Sequence, residues 1–126
     1  MSPEVFAITL VCDDLSAVES FYSDVFATRP VHSDEVSRVF KFGSVLINCL
    51  ERADAVKLFA PATTVSAGSG QSSMLTVQVQ SVDDEASRLA TLGVELNTEP
   101  TDQQWGIRTI TFVDPAGQLW EFSHPL

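Results

Sequence analysis

Trp105–His124, WGIRTITFVDPAGQLWEFSH, carries the decisive pattern. Ile107–Val113 and Gln118–Ser123 alternate apolar and polar residues, as half-buried strands do. Between them Asp114-Pro115-Ala116-Gly117 has the composition of a type I turn, with Asp first, Pro second and Gly fourth. The segment therefore predicts a β-hairpin. Its return strand carries one carboxylate, Glu121, between Trp120 and Phe122. Pairing across the turn sets Ile110 opposite Glu121 and makes Arg108 its diagonal neighbour. A half-buried carboxylate that keeps its charge needs a partner. Three partners fit: Arg108 in an ion pair, a cationic or hydrogen-bond-donating ligand group, or a proton in general-base chemistry. Trp120 and Phe122 alternate with Glu121 and are expected in the core.

Working outward, Met74–Val79 reads as a strand, followed by Ser81-Val82-Asp83-Asp84, a capping-box variant. Val82, Ala86, Leu89 and Leu92 then recur at helical spacing, and Gly93 suits the position just past the helix end. Val94–Leu96 suggests a short strand. The first half has the same plan. Phe6–Cys12 alternates as a strand, with Ile8, Leu10 and Cys12 on one face and Ala7, Thr9 and Val11 on the other. Asp13-Asp14 offers cap oxygens for a helix whose stripe is Leu15, Val18, Phe21, Tyr22, Val25 and Phe26. Arg29-Pro30 stops it. Arg38–Phe42 and Val45–Leu50 form two strands around Gly43-Ser44, and a short strand is expected near Val56–Phe59. The halves align as βαβββ twice, with Ala7 on Met74 and Ile47 on Glu121. The reading is an α+β fold of two modules, residues 4–60 and 73–126, each a curved sheet with its helix outside and an inner face forming a cleft. Residues 61–72 are rich in Ser, Thr, Gly and Ala and serve as the linker.

A net charge of −10 with only 7 Lys and Arg argues against nucleic acid. It suits solubility and speeds the approach of a cationic small molecule. No apolar run approaches the ~20 residues that span a bilayer, and MSPEVFAITL lacks the basic start of a signal peptide. A cytoplasmic protein with free thiols at Cys12 and Cys49 is expected. The pairs Asp13-Asp14 and Asp83-Asp84 are helix-start chemistry. No His is placed to activate Cys49, so a small inert side chain is the simpler reading.

The chain resembles the vicinal oxygen chelate superfamily, which includes glyoxalase I, extradiol dioxygenases, fosfomycin-resistance enzymes and bleomycin-resistance proteins. ITLVCDDLSAVESFY (Ile8–Tyr22), VQSVDDEASRLATLGVEL (Val79–Leu96) and WGIRTITFVDPAGQLWEF (Trp105–Phe122) carry the resemblance. It implies two paired βαβββ modules and a homodimer. In catalytic members it also implies a divalent metal held from the first and last strands of each half. Those places fall on Ala7, Ile47, Met74 and Glu121, of which only Glu121 is a competent ligand. A catalytic zinc wants three protein ligands, and a non-haem iron two His and a carboxylate. The two histidines, His32 and His124, lie in a loop and past Glu121 on the opposite face. No metal and no other cofactor is expected.

The ligand-facing set is then Glu121, Arg108, Trp105, Ile110, Phe112, Leu119, Phe40, Ile47, Cys49, Thr9, Met74 and Thr76, joined by Val45, Val11, Gln78 and Ser123. This is a mostly apolar lining with few polar groups, the usual make-up of a small-molecule site. Trp105 either stacks on a planar or cationic ligand or covers the sheet edge. The leading expectation is a metal-independent binder of an antibiotic or metabolite, with Glu121 the catalytic group if there is one. Two alternatives stand beside it: an enzyme of glyoxalase, dioxygenase or lyase type, and a protein-interaction module with a collapsed cleft.

Overall fold

A computed structural model describes residues 2–126. The chain divides into two compact units, Met1–Ser69 and Gly70–Leu126.

The first unit holds β1 (Ala7–Cys12), α1 (Leu15–Phe26), β2 (His32–Ser33), β3 (Ser37–Phe42), β4 (Val45–Glu51) and α2 (Arg52–Phe59). Its sheet has the order β1-β4-β3-β2, with β1 parallel to β4 and the other pairs antiparallel. Asp14 caps α1 by accepting the Ala17 amide at 3.0 Å. The buried stripe Val18, Tyr22 and Val25 lays the helix on the sheet. The Tyr22 ring lies 4.7 Å from that of Phe40, and Phe26 lies 5.1 Å from Phe42. Those aromatic pairs decide which face α1 covers. Phe40 pairs with Ile47 and Phe42 with Val45, so Ile47, Val45 and Cys49 share that face, as do Ile8, Leu10 and Cys12. The expectation that Phe40, Val45, Ile47 and Cys49 line an inner face is therefore corrected: they are core beneath α1. Cys12 and Cys49 are both buried, and neither is in a disulfide.

Residues 52–59 form α2, not the expected strand. Ala53, Ala55, Lys57 and Leu58 are strong helix formers, and only Ala55 is buried, so no pleated face offsets that preference. Arg52, at its start, binds both carboxylate oxygens of Asp13 (2.6 and 3.0 Å) and the Val65 carbonyl (2.8 Å). The hydrogen bond from Arg52 holds the Asp13 carboxyl below its ordinary range. The guanidinium thus ties the end of β1 to the segment that follows α2.

The second unit holds β5 (Met74–Gln78), α3 (Val82–Thr91), β6 (Leu96–Asp102), β7 (Ile107–Val113) and β8 (Leu119–Pro125). Its order, β5-β8-β7-β6, repeats the first sheet, again with the first strand parallel to the last. Ser81 caps α3 through the Asp84 amide at 3.1 Å. At the other end Val94 donates to the Leu89 carbonyl and Gly93, at φ 77°, to that of Ala90, a Schellman closure. The two βαβββ modules are present in order, with α2 added to the first.

The hairpin turn differs from the sequence expectation by one residue. Gly117 donates to the Asp114 carbonyl, as a type I turn requires, but Asp114 then pairs its amide with Gln118. Gly117, at φ 87°, is an extra residue in the left-handed region, a glycine bulge. Thr111 consequently faces Glu121, and Ile110 faces Phe122. The pairing of Ile110 with Glu121 is overturned for this reason. Ile110 and Phe112 join Trp120 and Phe122 in the core, with the Phe112 and Phe122 rings 5.0 Å apart.

Asp114 fixes this turn. Its buried carboxylate accepts the amides of Ala116 (2.8 Å) and Gln118 (3.0 Å) and the Trp120 indole N–H (2.9 Å). Asp114→Ala removes the acceptor of all three donors and should cost about 2–4 kcal/mol of stability in urea unfolding, ~1–3 kcal/mol for the buried indole N–H and less for each of the two part-buried amides. Trp120→Phe, which removes one donor and keeps Asp114, should cost less; the reverse ranking would show that the carboxylate does not organise the turn. Ala27, at the end of α1, holds φ 51° without being glycine. Ala27→Gly should raise unfolding stability by ~0.5–1 kcal/mol, because the left-handed region penalises a Cβ. Unchanged or reduced stability would mean that no such strain is held there.

Candidate functional site

Glu121 lies in the middle of β8, on the face turned away from α3. Thr76 of β5 is its parallel partner, and the Thr76 hydroxyl donates to the Glu121 carboxylate at 3.0 Å. Met74 and Leu119 lie one step along this face, and Gln78 and Ser123 one step the other way. From β7, Thr111 and Thr109 complete it. Both threonine hydroxyls are engaged sideways. Thr111 meets Thr98 at 2.7 Å and Asn97 at 3.0 Å, and Thr109 accepts from Gln103 at 3.0 Å. The surface around Glu121 is thus more polar than the sequence implied, with threonines where Ile110 and Phe112 were expected.

Arg108 does not reach Glu121. The bulge puts it on the α3 side of the sheet, where it binds Asp102 at 2.7 Å and Asp83 at 3.0 Å. The hydrogen bonds that it donates to Asp102 and Asp83 raise its pKa above the ordinary arginine value. The expected Arg108–Glu121 pair is therefore corrected to an Arg108 clasp between α3 and β6. Among the described residues no Lys, Arg or His forms an ion pair with Glu121. Its one hydrogen bond comes from a neutral hydroxyl, leaving acceptor capacity for something else.

The first unit repeats this arrangement with a different residue. Thr9 on β1 is the parallel partner of Asn48 on β4, and Asn48 Nδ2 approaches Thr9 Oγ1 at 3.5 Å. Thr9–Asn48 is thus the counterpart of Thr76–Glu121. Ile47, placed on Glu121 by sequence alignment, faces the other way. Strands β3 and β4 turn through Gly43-Ser44 alone, so the two hairpins differ in length and an ungapped alignment slips by one. Asn48 is the residue that sequence reasoning missed; a lone amide in the apolar run Val45–Leu50 was the available signal. Ala7 and Met74 lie on the same faces as Thr9 and Thr76, at the starts of β1 and β5.

These positions offer a methyl, an amide, a thioether and one carboxylate. That donor set does not fit a catalytic zinc or non-haem iron site. Among the described residues no three His, Cys, Asp or Glu side chains gather closely enough to hold a metal ion. His32 pairs with Asp34 at 3.1 Å, and His124 turns to the Pro125 carbonyl at 2.9 Å. Trp105, in the loop between β6 and β7, is 71 % exposed. That exposure leaves most of its side chain open to solvent. An acidic groove of about 630 Å³ lies between α3 and β6, lined by Asp83, Glu95 and Glu99 among others; it does not include Glu121. Among the described residues no helix is long and apolar enough to cross a membrane.

Known proteins share this construction. A glyoxalase/bleomycin resistance protein/dioxygenase from Nocardioides is 25% identical, covering 100% of this chain and 85% of its own, with a TM-score of 0.84. A glyoxalase-related enzyme from Fulvimarina pelagi is 23% identical over 95% of this chain and 86% of its own, with a TM-score of 0.82. A lactoylglutathione lyase from Agrobacterium tumefaciens is 22% identical over 97% of this chain and 93% of its own, with a TM-score of 0.77. No curated protein matches the sequence. The model of one family matches residues 5–122, which takes in both βαβββ units and the bulged hairpin that presents Glu121. The chain belongs to the Glyoxalase/Bleomycin resistance protein/Dioxygenase superfamily.

Proposed function

We propose that this protein is a metal-independent small-molecule binder, sequestering a planar, cationic antibiotic or metabolite, and that it works as a homodimer in the cytoplasm. The observation that carries this reading is the state of Glu121. It is a half-buried carboxylate with a hydroxyl for company and no internal cation, at a position whose counterparts are Ala7, Asn48 and Met74. A carboxylate so placed favours an ammonium or guanidinium group that brings its own charge. The net charge of −10 draws such a molecule in, and exposed Trp105 offers an aromatic face to it. Arg108, Ile110, Phe112, Phe40, Ile47 and Cys49 leave the ligand-facing set, since they support the sheets from behind. Glu121, Thr76, Met74, Leu119 and Trp105 remain in it, while Thr9 stays on the helix-free face of its own sheet.

Protein purified without chelator should carry close to no Ni, Zn, Fe or Mn per subunit by elemental mass spectrometry. A stoichiometric divalent ion lost on Glu121→Ala would instead favour the lyase or dioxygenase reading. In a thermal-shift screen of planar cations, a true ligand at 100 times its Kd should stabilise the fold by about 2.7 kcal/mol. Glu121→Gln keeps the shape and removes the charge; it should weaken that ligand at least tenfold, on the ~1.5–3 kcal/mol scale of a charge-assisted hydrogen bond. Silence across the screen, or full affinity in Glu121→Gln, would overturn the proposal.

A further inference from the structure

The groove of about 630 Å³ between α3 and β6 lies on the helix side of the second sheet, away from Glu121. β6 is the last strand of that sheet, with β7 on one side only, so the groove borders an unpaired strand edge. Ala86, Leu96 and Pro100 are half-buried in its lining, whereas Glu95 and Glu99 are exposed. Carbon therefore lies at the bottom and carboxylate at the rim. Ala86 and Ala90, one turn apart on α3, keep the helix wall low. The charge around the groove is one-sided. Asp83, Asp84, Glu85, Glu95, Glu99 and Asp102 lie on α3, on β6 or between them, against Arg88 and Arg108. Both arginines are engaged within the fold, Arg88 with Glu85 at 2.6 Å and Arg108 with Asp83 and Asp102. Glu95 and Glu99 form no ion pair among the described residues.

We propose that this groove docks an extended segment of a partner protein with the pattern basic–x–apolar–x–basic. Alternate side chains of an extended chain share one face. The central apolar side chain enters between α3 and β6, and the flanking Lys or Arg side chains meet Glu95 and Glu99. Glu95 and Glu99 stand four residues apart, at most about 13 Å of chain, which is also the span between the two basic positions. The edge does not suit a continuous added strand. The register of β6 shifts twice, and Pro100 has no N–H to donate, so the side-chain pattern selects the segment more than a backbone ladder does. Other occupants fit less well. A second copy brings the same acidic face and a net charge of −10, and the same carboxylates repel nucleic acid and anionic lipid. A divalent ion finds no group of three ligands among the described residues. The docking surface goes beyond the small-molecule reading and does not depend on Glu121.

The probe is the blocked peptide Lys-Thr-Val-Thr-Lys, and its control is the permuted Lys-Lys-Val-Thr-Thr, of equal charge and composition. In amide-resolved NMR titrations of the unmodified protein at low salt, the first peptide should move the signals of α3 and β6 and bind several-fold more tightly than the second. No binding, or shifts centred away from α3 and β6, overturns the proposal. Equal affinity for the permuted peptide, or for the dication cadaverine, would show that the groove attracts charge without reading a segment, and overturns it too. The double variant Glu95→Gln/Glu99→Gln should weaken the peptide about fivefold, on the scale of two exposed ion pairs, and remove most of the salt dependence. Ala90→Met keeps a good helix former and fills the groove. It should abolish the response at an unchanged melting temperature, and full affinity in either variant refutes the docking site. Glu121→Gln should bind the peptide as the unmodified protein does; a weakened peptide there would put it on the other face and overturn the proposal. Failure of the planar-cation screen therefore refutes the reading of Glu121 alone, while failure of the peptide titration refutes that of the groove.

Discussion

The grip of the Asp114 carboxylate on Ala116, Gln118 and Trp120 is the constraint on which the second unit depends. It stabilises a turn that holds one residue more than a simple hairpin, and side chains on a strand alternate strictly. Which residues of β7 and β8 become core and which become surface is thereby settled at the turn. With the bulge in place Phe112 and Phe122 meet under α3, and Glu121 is left on the other face with Thr76 and Thr111. The indole N–H links the constraint to the core, since the ring that fills the centre also holds the carboxylate in position.

Much of the fold was legible because the strong signals were local. Asp14 and Ser81 cap their helices as short polar residues do, Gly93 closes α3, and the apolar stripes of α1 and α3 follow helical spacing. The duplicated βαβββ order followed from those elements alone. Residues 52–59 misled because a short apolar run carries no clear period, and helix propensity then decided.

The candidate site was less legible, and the reason is register. A shift of one residue between paired strands changes the face of every side chain on one of them. Composition identified Asp114-Pro115-Ala116-Gly117 as a turn but not the left-handed bulge at Gly117, so Arg108 was drawn to Glu121 instead of to Asp83 and Asp102. In the first unit the same uncertainty hid Asn48 behind Ile47. Trp120 and Tyr22 lie in the core, as their places in an alternating strand and a helical apolar stripe imply.

The unlike turns of the two units bear on how such a chain diversifies. Point substitutions on the helix-free faces of the sheets exchange one functional group for another without disturbing the core behind them, as threonine beside asparagine in one unit and beside glutamate in the other illustrate. Gain or loss of a single residue between Asp114 and Gln118 acts quite differently. It would present Trp120 and Phe122 to the surface and drive Glu121 beneath α3 in one event. The chemistry of this face is therefore alterable residue by residue, whereas a change in the length of the turn exchanges core for surface along the whole strand.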